Sequence, residues 1–143
     1  MQELDVDLGG PVHYADYGGQ GTPIVMVHGL SGSRLNWMAV GPSLAERHRV
    51  FAVEFIGHGL PPMAGRQAPR AHHGIPLSRT IASGAGAPAI PLGNSTGGHL
   101  AIVEAAVNPE KVAALVLVDP AVPIPIAGGP LPPPAALALA PVM

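Results

Sequence analysis

Four short apolar runs, each closed by glycine or proline, constrain this chain more than any other feature. They are "PIVMVHG" (residues 23–29), "HRVFAVEF" (48–55, followed by "IGHG"), "PAIPLGNS" (88–95) and "KVAALVLVDP" (111–120). A strand with one wet face alternates apolar and polar residues. An unbroken apolar run is covered on both faces, which is the condition of a strand inside a parallel sheet. Between the last two runs, "TGGHLAIVEAAVNPE" sets Leu100, Ile102, Val103, Ala106 and Val107 at helical spacing and stops at Asn108-Pro109. Between the first two, residues 33–47 carry a helical stripe interrupted by Gly41-Pro42, with Trp37 and Met38 assigned to the core. Strand, helix, strand, repeated, predicts an α/β fold with a parallel sheet and helices on its faces. "VHYADYG" (12–18) alternates and reads as an edge strand. Pro91 is the discordant residue, since proline cannot donate to a ladder.

Composition removes several functional classes. At 143 residues the chain fits one domain, and 48% hydrophobic against 11% charged residues excludes disorder through low hydrophobicity. A net charge of −2 with scattered arginines offers no face to nucleic acid. No cysteine is present, so disulfides and thiolate metal sites are excluded, and the His72-His73 pair lacks further ligands. No metal and no cofactor are expected. "MQELDVDLGG" is acidic without an apolar core, unlike a signal peptide. Residues 112–143 are charged only at Asp119, but eight prolines from residue 120 onward break any spanning helix. The expectation is a soluble, cytoplasmic protein with no membrane span.

The chemistry centres on "GNSTGG". Gly93, Asn94, Ser95, Thr96 and Gly97 satisfy G-x-S-x-G between an apolar run and a helix, the strand–turn–helix setting that the motif requires. Small residues two positions to either side let the backbone cross closely in a strained turn. Such a turn lifts the serine hydroxyl above the sheet edge and turns the next N–H, that of Thr96, toward a developing oxyanion. The plain alternative is a turn serine.

The segments "VHYADYG", "PIVMVHGLSGSRLNW", "HRVFAVEFIGHG" and "PAIPLGNSTGGHLAIVEAAVNPEKVAALVLVDPA" follow one another in the order that resembles the N-terminal half of an α/β-hydrolase fold enzyme. The resemblance implies a three-layer α/β sheet with Ser95 at the nucleophile position. It implies that His28-Gly29-Leu30 supplies the second oxyanion donor, the Leu30 N–H, beside that of Thr96. His28, Gly29, Gly93 and Gly97 are then structural motif positions. Gly57-His58-Gly59 matches a structural turn, and Glu54 stands where the family usually has aspartate.

A serine hydroxyl reacts poorly until a histidine takes its proton and a carboxylate orients that histidine. In the family both follow the nucleophile on later loops, and no residue after Ser95 matches them. The resemblance therefore implies an incomplete sheet without the C-terminal strands, the cap, the acid or the base. His28 is the nearest substitute base by position, with His99 next, although His99 reads as solvated. Residues 1–120 form the partial hydrolase domain and 121–143 a Pro/Ala-rich tail. Residues 60–88 are an irregular, insert-like segment of family-like length and foreign composition, as two compensating frameshifts would produce. Three readings result: a truncated serine hydrolase of small ester-like substrates, weakly active or inactive; a non-catalytic protein binding a small ligand or partner; and a remnant without function. An exposed sheet edge would invite self-association.

Overall fold

The computed structural model describes residues 1–7, 11–54, 77, 81 and 88–122. Six strands form one sheet: β1 (Gln2–Asp7), β2 (Pro11–Gly18), β3 (Pro23–Val27), β4 (Arg49–Val53), β5 (Ile90–Asn94) and β6 (Val116–Val118), in the order β1-β2-β4-β3-β5-β6. The last four are parallel neighbours, as the apolar runs predict, while β1 and β2 join antiparallel beside β4. Period-two alternation splits the apolar residues between two cores. Ile24, Met26, Val50, Ala52 and Leu92 pack with Ala15 and Trp37 on one face; Val25, Val27, Val53 and Ala89 pack with Leu77 and Ile81 on the other. The first face is covered by a 3-10 turn (Arg34–Trp37) and the short helix α1 (Gly41–Leu44), and Leu100 of helix α2 (Thr96–Val107) packs on the second. The three layers follow.

Pro91 sits inside the sheet, paired with Val25. Ala89 exchanges bonds with Lys111 O and the Ala113 N–H, so its polar groups face the β6 side. Two residues on, the Pro91 nitrogen faces the same side. There the ladder is interrupted, between the Ala89–Val112 bridge and the Leu92–Val116 pair. The missing donor falls in the gap.

Other expectations need correction. The predicted edge strand, β2, is flanked on both sides, because β1 covers it. The expected fourth buried strand is the other edge: Val116 and Val118 are 42% and 46% exposed, with no described strand beyond them. Trp37 is core, but Met38 is 54% exposed, because the stripe breaks into a 3-10 turn and a separate short helix. Of residues 60–88, Leu77 and Ile81 are helical and buried in the second core, Pro88 is exposed, and the others lie outside the described residues. His58, the His72-His73 pair and residues 123–143 lie outside the described residues. Among the described residues, no helix is long and apolar enough to cross a membrane, and no group of three or more acidic or histidine side chains is placed to hold a metal.

Candidate active site

Ser95 occupies the turn between β5 and α2, at the carboxyl edge of the parallel strands, with φ 51° and ψ −117°. A β-carbon there is strained by about 1–3 kcal/mol, and three anchors hold it. The Ser95 N–H donates to Val118 O (3.1 Å), the Ala121 N–H donates to Ser95 O (2.9 Å), and Asn94 Nδ2 donates to Val118 O (3.1 Å). Gly93 and Gly97 make the crossing feasible: a Cβ on Gly93 would collide with the Gly97 carbonyl, and one on Gly97 with the Val27 carbonyl. The Ser95 side chain makes no capping bond to the helix that it precedes.

The loop after β3 lies against this turn. A Cβ on Gly29 would stand 3.1 Å from both Ser95 Cβ and Asn94 Oδ1. The loop is tight, with the Gly32 N–H donating to Gly29 O (3.0 Å) and Ser31 at φ 59°. Leu30, next to Gly29, is 73% exposed. Ser31, Ser95 and Asp119 are the described non-glycine residues at positive φ, and they follow β3, β5 and β6 at one edge of the sheet. Strain of this kind gathers at functional sites.

Behind the loop runs a buried ionic network. His28 is fully buried, its Nδ1 2.7 Å from Gly29 O and its Nε2 2.9 Å from Glu54 Oε1. Arg34 donates to Glu54 Oε2 through its backbone N–H (3.1 Å) and its guanidinium (3.0 Å), and to Glu3 Oε1 (2.7 Å). Burial alone would push the Glu54 carboxyl up. Its contacts with His28 and Arg34 outweigh that and hold it below the ordinary glutamate value. Burial likewise works against the Arg34 cation, and the bonds to Glu3 and Glu54 more than offset it.

The sequence-predicted residues therefore meet only in part. Gly93, Ser95, Gly97 and Gly29 meet at one edge, and Leu30 and Thr96 follow Gly29 and Ser95 in the chain. His28 belongs to the network, both ring nitrogens occupied by oxygens, so it does not fit the role of substitute base. His99, expected in solvent, has a buried Nδ1 without a hydrogen-bond partner among the described residues; its backbone N–H donates to Ser95 O at 3.1 Å. Arg34 and Glu3 went unread because nothing local in "SRLNW" or "MQELD" shows their partners. Glu54 carried a signal only through its position.

A doubly covered α/β sheet with a strained serine turn at its carboxyl edge defines a class of protein built to meet ligands there. The chain belongs to the alpha/beta hydrolase family, which it matches over residues 24–143. It is 33% identical over 118 residues to the dihydrolipoyllysine-residue acetyltransferase component of the acetoin cleaving system of Pseudomonas putida, covering 78% of this chain and 31% of that protein. Lipase LipV of Mycobacterium tuberculosis is 33% identical over 112 residues, covering 78% of this chain and 42% of the lipase. Among solved structures, the thioesterase domain from the curacin biosynthetic pathway superposes with a TM-score of 0.79 at 26% identity, over 89% of this chain and 49% of that one. The chain spans between about a third and a half of the length of these relatives.

Proposed function

We propose that the protein is a serine hydrolase of small ester-like substrates in which Ser95 is the nucleophile and the Leu30 and Thr96 N–H groups receive the oxyanion. The backbone of Ser95 carries this reading: a positive φ, held from three sides, in a residue whose hydroxyl caps nothing. The lipase and the thioesterase among the similar proteins support an acyl-ester substrate. In the reaction, Ser95 Oγ attacks the carbonyl carbon, negative charge gathers on the carbonyl oxygen, and the hydroxyl proton must pass to a base. His28 is a poor base, because its nitrogens already face Gly29 O and Glu54. Without a base, turnover would be slow, at most the roughly 10³–10⁴ over water that oxyanion stabilisation and binding supply in the absence of a full triad.

A short p-nitrophenyl ester tests this with purified chain. Slow release that disappears in Ser95→Ala and is lowered but not abolished in His28→Asn is expected, since His28 holds the loop and is not the base. Release unchanged by Ser95→Ala would sink the nucleophile assignment. A second reading, binding without turnover, is favoured by the exposure of Val103, Val107, Val116 and Val118 on α2 and the β6 edge. That surface also suits self-association, which sedimentation of the same sample would reveal as a concentration-dependent mass. Residues 1–120 carry the site in either reading, with Ala121 tied to it through Ser95 O.

A further inference from the structure

One carboxylate touches both ends of the loop that borders Ser95. Glu54 directly follows β4 and is 2% exposed, with Oε1 2.9 Å from His28 Nε2 and Oε2 accepting from the Arg34 backbone and guanidinium at 3.1 and 3.0 Å. His28 and Arg34 bracket residues 29–33. Inside that span, Gly29 abuts Ser95, and Gly29 O accepts from the Gly32 N–H and faces His28 Nδ1. A chain of contacts therefore runs from Glu54 through His28 to Gly29, the residue against the serine. Arg34 is neutralised on its other side by Glu3, whose carboxylate is 56% exposed, so among the described residues the buried part of the network is His28, Arg34 and Glu54.

We propose that Glu54 is the positioning residue of the Ser95 site, pinning residues 28 and 34 so that the Leu30 backbone is held at a fixed place beside Ser95. The proposal rests on the serine-hydrolase reading for its chemical meaning but not for its test. A carboxylate suits the task because it accepts on both oxygens. Glutamine of the same shape keeps one acceptor for Arg34 but loses the charge and turns an amide donor toward His28, so the charge-assisted pairing on both sides is lost.

Amide hydrogen exchange of the full chain decides the matter. Glu54→Gln should speed exchange across residues 29–33 by about tenfold or more while β2 and β5 keep wild-type protection. Glu54→Asp, which retains the charge, should recover most of that protection. Residues 29–33 staying within about twofold of wild type, or exchange rising equally in every strand, would overturn the proposal. Should Glu54→Gln not fold, Arg34→Lys, which keeps the charge but loses the fork, is read by the same criterion. A fluorophosphonate then separates this proposal from the reading beneath it. Labelling at Ser95 whose maximal rate falls in Glu54→Gln with unchanged probe affinity supports both. Wild-type protein left unlabelled at Ser95 refutes the nucleophile, and the exchange result still decides the loop.

Discussion

Around Ser95 the chain is held by its own backbone: Gly93 and Gly97 cross in contact, and the Ser95 N–H and C=O are taken by Val118 and Ala121. Across the narrow gap, residues 28–34 are held by side chains, a buried carboxylate between a histidine and an arginine. The first device depends on shape and is indifferent to pH. The second depends on charge in a place with little water, where an orphaned partner is costly. Two parts of one site thus have different vulnerabilities, and each can be broken without touching the other.

The largest effect should come from orphaning the buried charges. Glu54→Ala leaves Arg34 and His28 facing a void, and unpairing a buried ion typically costs about 3–5 kcal/mol. Urea titration should show that loss. The double variant Arg34→Met with Glu54→Leu should lose less than the two single variants summed, because no buried guanidinium or carboxylate is left alone. Additive losses would mean that the network is a set of independent contacts.

The same network gives the protein an acid limit. Glu54 and Asp16 are both held below their ordinary values in the folded state, Glu54 by His28 and Arg34 against burial, Asp16 chiefly by its bond to Arg49. Depressed folded-state values mean that the unfolded chain binds more protons as pH falls. Their stabilisation is then complete above the ordinary carboxylate range and fades as pH drops through it to the folded values. Stability measured from pH 7 down to pH 3 should fall, with a shallower slope in Glu54→Gln. A slope equal to wild type would remove Glu54 from the acid limit.

On the backbone side, Gly97→Ala should cost about 2–3 kcal/mol, the upper part of the usual range for overpacking, because its Cβ meets the Val27 carbonyl rather than a side chain able to turn away. A loss under about 0.5 kcal/mol, no more than a surface substitution gives, would show that the crossing of helix and strand can relax.

What could be read in the sequence divides along the same line. The Ser95 turn was legible because it is local: five residues, flanked by an apolar run and a helical period, state strand, turn and helix together. The parallel core was legible because β3 and β4 are buried along almost their whole length, and burial leaves the unbroken apolar run. The network was not. Arg34 lies 20 residues from Glu54 and 31 from Glu3, and no spacing rule spans a crossover. Strand neighbours were equally hidden. "QELDVD" alternates too briefly to announce β1, and without β1 the inner place of β2 cannot be seen. Met38 and Trp37 sat in one helical stripe until a 3-10 turn set their exposures apart.

The smallest effect tests the strain itself. Ser95 at φ 51° and ψ −117° lies where a β-carbon crowds the backbone, and glycine does not. Ser95→Ala keeps that β-carbon, so it should leave the melting temperature near wild type while removing the hydroxyl. Ser95→Gly removes both. Strain relief of about 1–3 kcal/mol, set against about 0.5–1 kcal/mol of added unfolded-chain entropy, should leave glycine more stable by about 1 kcal/mol. That is an upward shift of roughly 2–4 °C for a chain of this size. Calorimetry of the three proteins separates the terms, since alanine controls for the hydroxyl and glycine for the conformation. Glycine melting at or below alanine would mean that the turn stores no strain at residue 95, and the backbone argument for Ser95 as a nucleophile would lose its support.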